Sequence, residues 1–239
     1  MEKARHEYKF LVDEKKIALL ESRLGMLMPK DAHVSQKGYY QIRSVYFDDE
    51  YNTCYQKNEA GVDPRAKYRI RIYDGSDRVI KLEKKVKQSG KTRKIATPLT
   101  KEQTLQLLQG KQLLSGSGGA EDFRACSPLL QQFVLLQRTR NFRPKVIVIY
   151  DRVPYVEKNG NVRVTFDRNI AASTDFAHFF DADIRKMPIM QAGQHLMEVK
   201  YDTFLPRVIR EALDTGRLRQ ETFSKFYLCR KYMLQKNGF

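Results

Sequence analysis

Apolar residues recur along this chain in two rhythms, and the switches between them mark out the elements. Residues 5–12 alternate between polar and apolar, the period of a strand with one buried face. Asp13 then stands where a helix cap is expected, and Ile17, Leu20, Leu24 and Leu27 follow at helical spacing. Strand patterns return at 39–47, closed by the acidic turn Asp48-Asp49-Glu50, and at 67–73 and 79–87. Asp74-Gly75-Ser76-Asp77 between the last two is a hairpin signal, and Gln88-Ser89-Gly90 predicts a second hairpin into 91–95. Thr100 and Gln103 have the spacing of a capping box for a short helix ending at Gly110. Ser127-Pro128 opens a helix to about Arg138. Strands follow at 145–153 and 161–167, joined through Lys158-Asn159-Gly160-Asn161, and at 196–201. Helices over roughly 205–215, with Gly216 as C-cap, and 223–235 close the chain. About eight strands, mostly in antiparallel hairpins with helices between pairs, predict an α+β fold on an antiparallel barrel or strongly curved sheet. The Gly- and Ser-rich stretch 114–120 is too short to prove a boundary, so 1–239 reads as one domain.

Sorting the strands by parity places the charges on one face. That face carries Arg5, Glu7 and Lys9; Lys67, Arg69 and Arg71; Lys81, Glu83 and Lys85; Tyr150 and Arg152; Arg163, Thr165 and Asp167; and Glu198 and Lys200. The other carries Tyr8, Phe10, Tyr68, Ile70, Ile72, Ile80, Leu82, Val86, Ile147, Ile149, Val162, Val164, Phe166, Met197 and Val199. Any half-buried antiparallel sheet alternates in this way, with its polar face in water. Solvated faces, however, mix Thr, Ser, Gln, Glu and Lys. Here Arg and Lys repeat in tight series with single carboxylates between them. Like charges facing each other across strands repel, so the array is costly unless a polyanion fills it. A closed barrel with a basic, water-filled lumen and helices packed outside accounts for both faces.

Composition agrees. The 239 residues include 44 Lys and Arg against 28 Asp and Glu, a formal charge of +16, which points to an anionic partner: nucleic acid, anionic membrane or a phosphorylated small molecule. Basic residues alternating in strands, and the absence of Trp, place specific nucleic-acid binding last among these. Cys54, Cys126 and Cys229 lie far apart without CxxC spacing, which fits a reducing compartment and no thiolate metal site. The charged start, Met1-Glu2-Lys3-Ala4-Arg5, has no apolar leader region, and the longest apolar run, 146–150, is too short for a bilayer. The expectation is a cytoplasmic protein, with peripheral docking on a membrane partner left open.

The carboxylates among the cations need a role. Glu7 and Glu83 read equally as counter-ions or functional groups. Glu198, with Lys200 on the same face, suits Mg²⁺ or Mn²⁺, which take one or two carboxylates and complete their shell with phosphate and water. At the start of the last helix, Ser224 and Lys225 could meet a phosphate, although Phe223, Phe226 and Tyr227 equally suit a core. Gly90-Lys91-Thr92 is not a P-loop, because Lys85 stands where its first Gly belongs. His6, His33, His178 and His195 have no metal spacing, and no Ser-His-Asp or Cys-His arrangement is present.

In order, Arg5-x-Glu7-x-Lys9, Ser44-Val45-Tyr46-Phe47-Asp48, Tyr68-Arg69-Ile70-Arg71-Ile72-Tyr73, Leu82-Glu83-Lys84-Lys85, Tyr150-Asp151-Arg152, Val162-Arg163-Val164-Thr165-Phe166-Asp167, Glu198-Val199-Lys200 and Ser224-Lys225-Phe226 resemble the VTC domain. This is the polyphosphate polymerase branch of the triphosphate tunnel metalloenzymes. The resemblance runs from about residue 5 to 227 and implies an eight-stranded antiparallel β-barrel, the triphosphate tunnel, with helices outside. It implies that Lys9, Arg69, Arg71, Lys85, Arg152, Arg163 and Lys225 hold phosphates, with Lys94, Lys200, Arg5 and Lys81 as additions. Tyr150 and Ser224 would hydrogen-bond phosphate oxygens, and Glu198, with Glu7, would hold Mn²⁺ or Mg²⁺. The superfamily usually opens with Glu-x-Glu-x-Lys; Arg5 in place of the first Glu removes a metal ligand and adds a cation, favouring the polymerase branch.

The function expected is therefore metal-dependent transfer of the γ-phosphate of ATP onto a polyphosphate chain by a stand-alone catalytic domain. The rivals are a triphosphatase acting on tripolyphosphate or an NTP, and a non-catalytic polyphosphate binder.

Overall fold

The computed structural model describes residues 5–113, 123–216, 218–236 and 238; the Gly/Ser-rich stretch 114–120 lies outside them. The strands are β1 (His6–Asp13), β2 (Tyr40–Asp48), β3 (Arg65–Tyr73), β4 (Ser76–Gln88), β5 (Lys91–Pro98), β6 (Arg143–Glu157), β7 (Val162–Ser173), the short β8 (Met187–Pro188) and β9 (Gln194–Tyr201). The helices are α1 (Glu14–Gly25), α2 (Thr53–Glu59), α3 (Lys101–Leu108), α4 (Pro128–Arg140), α5 (Arg207–Leu213) and α6 (Lys225–Lys236).

Most local signals act where expected, although α5 ends with Asp214 as its C-cap and not with the expected Gly216. Asp13 accepts from the Lys16 amide and starts α1. Thr100 and Gln103 form a reciprocal capping box on α3, and Ser127 caps α4 ahead of Pro128. Asp74 and Gly75, at φ 52° and 68°, make the two-residue turn between β3 and β4; Ser89 and Gly90, at 51° and 73°, make the next. Helix α2, which has no buried residue of its own, is anchored from upstream. Asp48 accepts from the amides of Asp49, Cys54 and Tyr55, and Asp49 accepts from that of Thr53.

All pairings are antiparallel, in the order β1-β9-β7-β6-β2-β3-β4-β5, with β8 beside β7. This corrects the expected eight-stranded closed barrel: a ninth strand is present, and β1 and β5 are edges that do not bond to each other. The edge of β1 is used otherwise, since Phe10 bridges Gln220 and the Lys9 carbonyl accepts from the Glu221 amide at 2.8 Å. The sheet still curls. Lys85 on β4 reaches Glu7 on β1 at 3.4 Å, so side chains, not backbone bonds, span the gap.

Helices α3 and α4 pack outside β2, β3 and β4 through Leu107, Leu108, Leu130 and Phe133 against Phe47, Ile70 and Leu82. Outside β1, β9 and β7, α1 and α5 contribute Ile17, Leu20, Leu24, Ile209 and Leu213 against Val164, Phe166 and Met197. The expectation that helices lie only outside fails at α6. Its Phe226, Cys229 and Met233 pack on Tyr46, Val146, Val148, Ile170, Ala172 and Leu196, the inward side of the sheet. A bulge opposite Ile149 and Asp151, with Asn169 at φ 54°, shifts the inward parity of β7 from Asp167 to Ile170 and supplies part of that apolar floor. Among the described residues no helix is long and apolar enough to cross a membrane.

Candidate phosphate-binding tunnel

The concave side left uncovered by α6 is a cavity of about 430 Å³. Its walls are built by parity: Arg5 just before β1, with Glu7 and Lys9 from β1; Arg65, Lys67, Arg69 and Arg71 from β3; Lys85 and Lys87 from β4; Tyr150 and Arg152 from β6; Glu198 and Lys200 from β9. Tyr46, Glu221, Phe223, Ser224, Lys225 and Phe226 also line it. Lys and Arg far outnumber the lining carboxylates Glu7, Glu198 and Glu221.

At the back, ion pairs lock the charges together. Arg152 donates Nε and Nη2 to the two oxygens of Asp167 at 2.6 and 2.7 Å. Lys225 bridges Asp167 at 2.6 Å and Glu198 at 2.7 Å, and Lys200 holds the other Glu198 oxygen at 2.6 Å. Burial opposes charge on both carboxylates. It is outweighed at Asp167 by Arg152 and Lys225, and at Glu198 by Lys200, Lys225, Lys9 and Arg152, so both stay ionised well into acid. Burial likewise opposes charge on Lys225, and Asp167 and Glu198 reverse it, raising its pKa. Position 225 is the first of α6, with Ser224 capping that helix by accepting from the Tyr227 amide at 3.2 Å. The helix start thus delivers Lys225 into the tunnel.

Along the wall, Arg69 pairs with buried Glu83 at 2.6 Å and donates to the Tyr46 hydroxyl at 2.9 Å. Burial works against Glu83, but Arg69 and Arg71 bring it down to about 2. Arg71 reaches only neutral oxygens in this network, Ser44 Oγ at 3.2 Å and the Tyr150 hydroxyl at 3.4 Å. Glu7 sits between Lys9 at 3.3 Å, Lys85 at 3.4 Å and Lys200 at 3.8 Å. Burial would raise it; Lys200, Lys85 and Lys9 instead lower it to about 2. At one rim Arg5 pairs with Asp202 at 2.8 Å.

Of the residues singled out from sequence, Arg5, Glu7, Lys9, Arg69, Arg71, Lys85, Tyr150, Arg152, Glu198, Lys200, Ser224 and Lys225 line one cavity. Arg163, Lys81 and Lys94 are not in its lining. Arg163 turns to Asp31 and Tyr40, while Lys81 and Lys94 are exposed on β4 and β5. Several residues were missed. Lys67 shares the parity of Arg69 but was not assigned a role. Arg65 precedes the expected start of its strand. Tyr46 lines the cavity and Asp167 lies behind it; each is the direct cross-strand partner of the arginine it holds, Arg69 and Arg152.

Among the described residues no three His, Cys, Asp or Glu side chains converge on a metal position. Both oxygens of Glu198 already face ammonium groups. The donor set therefore suits a hard divalent ion only in company with phosphate oxygens, with Glu198 and Glu7 supplying the protein's share.

An antiparallel sheet curled about a lumen of cations and neutralised carboxylates defines a tunnel fold. The chain belongs to the VTC domain family, whose model matches residues 4–234. No curated protein matches it. Among solved structures, a candidate adenylate cyclase from Vibrio parahaemolyticus is similar in fold, with a TM-score of 0.52 at 11% identity, covering 95% of this chain and 98% of the other. A Hippeastrum protein described as a candidate adenylyl cyclase with dominant triphosphatase activity has a TM-score of 0.49 at 12% identity, with 96% of each chain covered.

Proposed function

We propose that this protein extends polyphosphate chains with the γ-phosphate of ATP, in a metal-dependent phosphoryl transfer inside the tunnel. The observation that carries the reading is a cavity of a VTC-family chain whose cations far exceed its carboxylates, with every carboxylate of the inner wall tied to Lys or Arg. Such a lumen favours holding a long polyanion over releasing it.

Phosphoryl transfer needs little covalent help from the protein; positioning and charge neutralisation do most of the work. Arg71 and Arg152 offer planar forks for triphosphate oxygens, and Lys9, Lys85 and Lys200 neutralise the chain that accepts the phosphoryl group. Arg163, Lys81 and Lys94, outside the cavity lining, would act on parts of a chain that extend past it. Asp167 and Glu83 hold Arg152 and Arg69 in place. Glu198 and Glu7 would hold Mn²⁺ or Mg²⁺, which when bound would neutralise charge on the transferring phosphate. The acceptor is itself an anionic phosphate, so no general base is required for its attack. ATP and polyphosphate would be the ligands, and a membrane protein could receive the product.

The test is to incubate the purified protein with ATP and Mn²⁺ and resolve products by chain length. Long chains from wild type, lost in Arg71→Ala and in Glu198→Ala, support the reading. Orthophosphate without chains would establish a triphosphatase; tight binding without turnover, a binding module.

A further inference from the structure

Lys67, the third residue of β3, faces the cavity in unusual company. Its ammonium donates to Ser224 Oγ at 2.9 Å and lies over the Phe226 ring at 5.6 Å. Among the described residues no carboxylate lies within ion-pair reach of it, unlike Lys9, Lys85, Lys200 and Lys225. The charged groups that act on it most strongly are all cationic: Lys9 from β1, Arg65 and Arg69 from its own strand, and Lys85 from β4, its direct cross-strand partner. At the start of α6 it meets the Ser224 hydroxyl and the face of Phe226. A second ammonium placed opposite the first is repulsive, and Glu7, bonded to Lys85 at 3.4 Å, does not relieve it at Lys67. A phosphate group between β3 and the start of α6 would, because it would meet Lys67, the Ser224 hydroxyl and the adjacent cations together.

We propose that Lys67 and Ser224 form the phosphate-gripping pair of the tunnel, and that Lys67 becomes fully charged only when a polyanion arrives, drawing one proton from solvent. The inference rests on the reading of the cavity as a phosphate-chain site. Its chemistry follows from the surroundings: burial, then Lys85, Lys9, Arg65 and Arg69, lower the empty-state pKa of Lys67 to about 7. A bound anion opposes both causes by favouring the ammonium form, so binding tightens as pH falls through that value. Lys85 also lines the cavity. Burial lowers it to about 8, Glu7 opposing and Lys200 and Lys9 assisting.

Inorganic sulfate is the suitable probe, because it carries no proton of its own near neutrality and requires no turnover. From pH 6 to pH 8 its affinity for wild type should fall about tenfold through Lys67 and about twofold more through Lys85. Lys67→Arg, charged throughout, should retain only about the twofold fall, and Lys67→Met should bind weakly with a similarly shallow profile. A wild-type fall no steeper than twofold, or an equally steep fall in Lys67→Arg, would overturn the proposal. The wild-type profile decides the matter even if both variants fold poorly. A protein that makes no polyphosphate yet shows this profile would lose the polymerase reading and keep the proton-linked anion grip.

Discussion

Replacing Lys225 by Met tests whether the back wall is held by its charge network. The ammonium contacts Asp167 at 2.6 Å and Glu198 at 2.7 Å, with both carboxylates almost fully buried. Removing one partner of a buried ion pair typically costs 3–5 kcal/mol, because the remaining charge is left uncompensated. Here Asp167 retains both bonds from Arg152, and Glu198 retains Lys200 at 2.6 Å. The loss therefore belongs at the low end, about 3 kcal/mol. In a chain of this size that corresponds to a Tm lower by about 6–12 °C. Calorimetry or urea unfolding measures it, and a double-mutant cycle adds specificity. Glu198→Gln should be far less costly in the Lys225→Met background than in wild type, with a coupling of about 1–2 kcal/mol. An unchanged Tm, or strictly additive effects, would refute the claim that Lys225 neutralises this wall.

Acid should destabilise the protein through two further paired carboxylates, Glu7 and Glu83. Glu7 and Glu83 are held at about 2 in the fold, from an ordinary 4.5. Their stabilisation is present above 4.5 and is lost as pH falls toward 2, so Glu7→Gln should flatten that part of a stability–pH curve. Asp48→Ala removes the acceptor for three amides at the start of α2, and should cost about 2–4 kcal/mol by chemical denaturation. Gly160→Ala would bring a Cβ to 2.5 Å from the Phe204 carbonyl oxygen at φ +74°, and should lower stability by about 1–3 kcal/mol in the same assay.

Much of this was legible along the chain because the determinants are local. Strand parity separated Arg69 and Arg71 from Ile70 and Ile72, and turn residues with positive φ, such as Asp74-Gly75, set the hairpins. The tunnel followed from parity because alternate residues of a strand share a face whatever lies around it. What escaped reading depends on contacts distant in sequence. Helix α2 buries nothing of its own and is held by Asp48 and Asp49. Barrel closure was expected from paired hairpins, yet residues 220–221 occupy the edge of β1 where β5 would have to bond. The inward seat of α6 left one trace: the run Val146-Ile147-Val148-Ile149-Tyr150 is apolar on both faces, as in a strand covered on both sides. Arg163 shares the inward parity but is captured by Asp31, from the segment between α1 and β2, a contact no periodicity encodes.

The central claim is that the tunnel transfers the γ-phosphate of ATP and retains the product as a growing chain. Its most direct measurement follows ATP labelled at the γ-phosphate through single and multiple turnovers with Mn²⁺, partitioning label between orthophosphate and acid-labile chains. The account predicts label accumulating in chains that lengthen with time, and none when Arg71→Ala replaces wild type. Label appearing only as orthophosphate would contradict it.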